Sequence, residues 1–149
     1  MTEVLFYHLT ESTLEDALPS LLERSLSRGW KVVVEAGSEE RVASLNAHLW
    51  TYREESFLPH GAAADAHPAE QPIYLSTDSA NPNSANVRFH VDGSMPLNPE
   101  GYTRVVLMFD GHNNAQVADA REAWKRLKAE GHDLTYWQQN QERRWEKKA

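Results

Sequence analysis

The stretch VLFYHLTESTLEDALPSLLERSLSRGWKVVVE, residues 4–35, decides the fold class. Its opening run, Val4 to Tyr7, is short and apolar, as a buried strand is. Ser12 and Glu15 follow at the spacing of a capping box. Leu14, Ala17, Leu18, Leu21, Leu22 and Leu26 then recur at helical spacing, and Gly29 is placed to end that helix in a left-handed conformation. Pro19 brings no backbone donor, so a kink or a later start is expected there. Lys31 to Glu35 returns to a strand. Such a strand, helix and strand make a parallel crossover unit.

The pattern continues outward. Ser38 with Glu39 and Glu40 puts a cap and two acids at a helix start, and that helix turns Val42, Leu45 and Leu49 inward. After Trp50 comes an irregular stretch holding Phe57-Leu58-Pro59-His60, then an Ala/Gly/Pro-rich segment from Gly61 to Pro72 that reads as a mobile surface loop. Ile73 to Ser76, Val87 to Val91 and Arg104 to Phe109 are candidate strands, with only loops between them around Asn81-Pro82-Asn83 and around Gly93, Pro96 and Pro99. Asn113 or Asn114 caps a third helix with Val117, Ala120, Trp124 and Leu127 inward, closing at Gly131. Leu134 to Trp137 is a last strand, and 138–149 a polar tail. The expectation is one α/β domain over 1–149, its mostly parallel sheet covered on both faces, with a mixed portion where strands follow each other directly.

At 149 residues one core is the default, and the 40% hydrophobic fraction separates the chain from disordered sequences. Cysteine is absent, which removes disulfides, thiolate metal sites and a thiol nucleophile. The start MTEVLFYHL lacks the basic region and cleavage site of a signal peptide, and no run approaches a membrane span, so a soluble cytoplasmic protein is expected. The net charge of -7 argues against binding nucleic acid by general phosphate neutralisation. Its distribution is uneven: residues 1–110 carry 7 Lys+Arg against 16 Asp+Glu, residues 111–149 carry 8 against 6. The basic charge gathered in the last quarter suits an acidic partner.

A fold of this type invites a nucleotide, and the turns at strand ends test it. The first strand exits through Tyr7-His8-Leu9-Thr10-Glu11-Ser12, with no glycine to admit a pyrophosphate and an acid where phosphate would sit. Glu35 alone mimics a ribose-binding acid weakly, against the plainer reading of an exposed strand end. None of the seven histidines pairs with a second ligand at helical metal-site spacing, so most are expected at the surface. Asp110-Gly111-His112 sets an acid and an imidazole near a strand end, which keeps a small nucleotide-using or hydrolytic α/β enzyme in play; the plainer reading is a turn opening the third helix. On that helix Arg121, Trp124, Lys125 and Lys128 stand at i, i+3, i+4 and i+7, one face with three cations beside an aromatic. The face suits an acidic peptide, the alternative being a core Trp124 beside solvated cations.

The chain resembles the DNA polymerase III chi subunit family, a clamp-loader accessory subunit, along nearly its whole length. The likeness is carried by Phe6-Tyr7, Leu49-Trp50, Ser56-Phe57-Leu58-Pro59-His60-Gly61, Gln71-Pro72-Ile73, Asn81-Pro82-Asn83, Val105 to Gly111, Ala120-Arg121-x-x-Trp124-Lys125, Gly131-His132, Tyr136-Trp137-Gln138-Gln139 and Trp145-Glu146-Lys147-Lys148. The resemblance implies a Rossmann-like three-layer fold without a nucleotide-binding loop, cofactor or catalysis. It implies an adaptor in the replisome, near the nucleoid, that meets DNA only indirectly. Its partners would be the acidic, apolar-ended C-terminal tail of single-stranded-DNA-binding protein and, in many relatives, the psi subunit. The tail contact falls on Arg121, Trp124 and Lys125, with Lys128 and Phe109 as geometric neighbours, and the psi contact on the region of Trp50 and Phe57.

Overall fold

The computed structural model describes residues 3–51, 61–62, 73–77, 84–94, 101–142 and 144–148, with 49–51 and 61–62 by backbone alone. The elements run β1 (Glu3–Leu9), α1 (Leu14–Ser27), β2 (Val32–Glu35), α2 (Glu39–Thr51), β3 (Gly61–Ala62), β4 (Ile73–Ser76), β5 (Val87–His90), β6 (Arg104–Asp110), α3 (Asn114–Ala129), β7 (Asp133–Gln139) and β8 (Trp145–Lys147). The strands form one sheet in the order β3-β4-β2-β5-β6-β1-β7-β8, parallel except for the last pair. A mostly parallel sheet flanked by helices is the α/β architecture expected.

Alternation along the strands assigns the two faces. Leu5, Tyr7 and Leu9 point with Val32, Val34, Val106 and Met108 towards the leucines of α1 and towards Val42 and Leu45 of α2. Val4 and Phe6 point the other way with Val105, Leu107 and Phe109, onto Ala120, Ala123 and Leu127 of α3. Because β1, at the centre of its half of the sheet, is covered on both sides, Val4 and Phe6 have no exposed surface at all.

Several expectations are corrected. The cap of α1 is Thr13, whose side chain accepts from Asp16 N, one residue later than the Ser12 and Glu15 box. Ser12 is held instead by Gln139. Helix α1 starts at Leu14 and runs through Pro19, which is buried. The carbonyl that Pro19 leaves without a donor, that of Glu15, accepts from His48 Nε2 at 2.8 Å. The mixed portion of the sheet does not fall among β4, β5 and β6, since β2 lies between β4 and β5 and β5 pairs with β6 in parallel; it falls where β8 directly follows β7 and pairs with it antiparallel. The segment read as a polar tail completes β7 and supplies β8, whose Trp145 packs edge-on to Tyr7 at 4.9 Å. Gly61 and Ala62, read as the start of a loop, pair with Tyr74 and Leu75; residues 63–72 lie outside the described residues. Gly29 and Gly131 take positive φ, 78° and 86°, as their places after α1 and α3 require.

Candidate functional site

Helix α3 begins at Asn113, whose side chain accepts from Gln116 N, and its inward stripe of small residues lets it lie close on β6, β1 and β7. Small residues inward leave room for the one large side chain. Trp124 is half-buried, its indole edge-on to Phe6 at 5.2 Å and to Tyr136 at 5.8 Å. Phe109, 2% exposed, closes the floor, edge-on to Tyr136 at 6.1 Å. Between these rings lies an open groove of about 350 Å³ lined by Phe109, Ala120, Arg121, Trp124, Lys125 and Tyr136. Its walls are aromatic and its rim carries two cations.

Arg121 and Lys125 are exposed on that rim, and Lys125 stands only loosely by Glu122, 3.9 Å away with both side chains more than three-quarters exposed. Such a pair holds little energy and leaves the ammonium available. The field of Arg121 reaches into the groove. Burial pushes the Tyr136 phenol up while Arg121 opposes it, and burial together with Arg121 holds the His8 imidazole below its ordinary value. His8 Nδ1 meets the Tyr136 hydroxyl at 2.7 Å and its ring stacks on Phe109 at 4.8 Å, so it braces the groove from β1. Lys128 is exposed one turn further along α3 and does not line the groove. Tyr136 and His8 were missed by sequence reasoning; the alternation of β7, which puts Leu134 and Tyr136 on the α3 face, was the available signal for the first.

The turn where a phosphate would sit is otherwise engaged. The backbone N–H groups of Thr10, Glu11 and Ser12 all donate to Gln139 Oε1, at 3.3, 3.2 and 3.0 Å, and Gln139 Nε2 donates to Ser12 Oγ at 2.9 Å. A neutral amide oxygen thus occupies the donors that a helix-entry turn offers to an anion. Asp110 and His112 form no catalytic pair: the Asp110 carboxylate accepts from the His112 backbone N–H at 2.8 Å, and the ring donates from Nε2 to Thr10 O at 2.8 Å. This is a turn opening α3. Gly111 lies so close beneath His8 that a Cβ there would stand 2.5 Å from His8 Nε2.

Glu35 is neither a ribose ligand nor an exposed strand end. Its carboxylate accepts from Arg88 and from Ser94 Oγ and faces His90 Nδ1 at 3.5 Å. Although burial disfavours its charge, hydrogen bonds from His90, Ser94 and Arg88 hold it at about 2. The histidines expected at the surface are mostly elsewhere: His90 is buried, His8, His48 and His132 are half-buried, and His112 alone is exposed among the described residues. Imidazoles satisfy interior carbonyls and hydroxyls, which spacing along the chain does not reveal. Among the described residues no group of three His, Cys, Asp or Glu is placed to hold a metal ion, and no helix is long and apolar enough to cross a membrane. Trp50 lies on α2 with its side chain outside the described residues, and Phe57 lies outside them altogether.

Residues 1–135 match the family described as DNA polymerase III chi subunit, HolC. The chain is 34% identical to a probable DNA polymerase III subunit chi of Rickettsia prowazekii over 87 residues, which is 58% of this chain and 53% of that one. It is 25% identical to the DNA polymerase III subunit chi of Haemophilus influenzae across 87% of this chain and 92% of that one. With the Pseudomonas aeruginosa subunit chi the figures are 24%, 90% and 94%.

Proposed function

Because this chain belongs to the DNA polymerase III chi subunit family, we propose that it is a non-catalytic adaptor of the clamp loader whose α3 groove takes the acidic, apolar-ended C-terminal tail of single-stranded-DNA-binding protein. One observation carries the reading: an open aromatic groove of about 350 Å³ with Arg121 and Lys125 on its rim. An apolar terminal side chain enters between Phe109, Trp124 and Tyr136, where burial supplies most of the affinity. The two cations grip the terminal carboxylate and preceding acids through charge-assisted hydrogen bonds. Both cations are solvated in the free protein, so the contact is modest in strength and weakens with salt, over a screening length of about 10 Å at 0.1 M.

The test is to mix the purified chain with single-stranded-DNA-binding protein, intact and lacking its last residues. Co-elution with the intact protein alone supports the reading, and equal retention of both forms removes it. A psi subunit, bound through the region of Trp50 and Phe57, is the second partner proposed, on the family resemblance; co-purification lost in Trp50→Ala tests it.

A further inference from the structure

On the opposite face of the sheet from the α3 groove, a second groove of about 330 Å³ opens between α1 and the β7–β8 edge. Its rim is basic: Arg24 comes from the last turn of α1 and Arg28 from its C-cap, Arg104 from the start of β6 and Lys147 from β8, against one acid, Glu3. Glu3 is paired with Arg104. Arg24, Arg28 and Lys147 are exposed and make no ion pair among the described residues. In a chain of net charge -7, the end of α1 and the edge strand β8, far apart in sequence, turn unneutralised cations onto one groove. The dipole of α1 accounts for basic residues in its last turns, but not for Lys147 arriving from an edge strand.

The floor says what kind of anion fits. Tyr7 is 8% exposed, lies parallel to Trp137 at 6.5 Å and meets Trp145 edge-on. Beside it, the guanidinium carbons of Arg28 and Arg104 stand 5.2 and 5.1 Å from the Trp30 ring centroid. Tyr7 and the apolar residues Leu5, Leu21, Phe89 and Val106 that line the groove are buried, and the half-buried indoles are engaged by neighbouring rings and arginines, so little ring or apolar surface is left for a base or a peptide side chain. What it offers is charge, and a repeating oxyanion needs only that.

We propose that this groove holds the phosphodiester backbone of single-stranded DNA, independently of sequence, on the face of the sheet opposite the α3 groove. DNA is chosen over other polyanions because the family is that of a DNA polymerase III subunit; the contact proposed is direct and local to this groove, where the resemblance alone implied an indirect one. A weak contact suffices there, because a subunit held at the template meets the strand at high effective concentration.

The experiment is anisotropy of a labelled oligothymidylate titrated with the full chain at low salt, repeated as salt is raised and in Arg24→Gln/Lys147→Gln. Three free cations predict that log affinity falls against log salt with a slope of about -2, and the double variant, with one cation left, lowers affinity at least about tenfold and flattens the slope to about -0.7. Single Lys147→Gln, on an exposed edge, gives an intermediate loss without burdening the fold. Affinity for a single-stranded-DNA-binding protein tail peptide, measured on the same samples, stays unchanged, which separates failure here from failure of the α3 groove. No binding at low salt, binding undiminished in the double variant, or displacement of the oligothymidylate by an oligoglutamate as readily as by unlabelled DNA each overturns the proposal.

Discussion

His48 on α2 donates from Nε2 to the carbonyl oxygen of Glu15 on α1, at 2.8 Å, and that oxygen is the one Pro19 deprives of its helical donor. The same helix pair is tied again by the Arg41 and Glu15 side chains. A proline in a buried helix turn is therefore compensated across the helix interface. His48→Ala is expected to destabilise the chain by about 1 kcal/mol, because a half-buried acceptor loses its partner. In a Pro19→Ala background, where residue 19 regains an N–H, the loss shrinks. A double-mutant cycle in urea reads the coupling, and additive effects would contradict it.

Gln139 is the second compensation. Three backbone donors converge on its side-chain oxygen, so Gln139→Ala strands all of them and is expected to cost about 2 to 3 kcal/mol. Amide exchange at Thr10, Glu11 and Ser12 should accelerate ahead of the rest of β1. Unchanged protection there would show that the turn does not depend on this side chain.

Acid should weaken the fold in two stages. Burial holds His90 below its ordinary value of 6.5 despite its bond to Glu35, so the folded state resists a proton that the unfolded chain accepts, and stability begins to fall as pH drops below about 6.5. Glu35 is depressed from 4.5 to about 2, so its contribution, full above 4.5, is lost between those two values. Glu35→Gln should abolish the second stage. It should also lower stability at neutral pH by about 3 kcal/mol, since Arg88, 4% exposed, loses this carboxylate. Chemical unfolding across pH 2 to 8 checks both signs.

Tyr136→Phe keeps the ring in the α3 groove and removes its hydroxyl from His8. A loss of about 1 kcal/mol in stability is expected, with little change in tail binding. Gly111→Ala does the opposite. A Cβ 2.5 Å from His8 Nε2 and 2.7 Å from Leu9 O must push the imidazole off Phe109, so tail affinity should fall several-fold together with stability. Equal tail affinity in both variants would separate His8 from the groove.

The crossover unit was readable because Val4 to Tyr7, the leucines of α1 and Val32 to Val34 each keep one period from end to end. The α3 face was readable for the same reason, with Arg121, Trp124 and Lys125 at helical spacing. What escaped was whatever depends on partners distant in sequence. Trp145-Glu146-Lys147 is too short and too polar to announce a strand, and becomes one by pairing with Trp137 to Gln139. Gln139 looks like any surface amide until β1 turns beside it. The basic groove gathers Arg24, Arg104 and Lys147 from three elements, and no local pattern records that.

The α3 groove is tested most directly by anisotropy of a labelled peptide carrying the terminal residues of single-stranded-DNA-binding protein. Titration with the native chain and with Arg121→Ala, Lys125→Ala and Trp124→Ala should show saturable, salt-sensitive binding, weakened by about tenfold, about 1.4 kcal/mol, in each cation variant. The loss of Trp124 should remove it. Binding that all three variants leave untouched would contradict a tail site on α3.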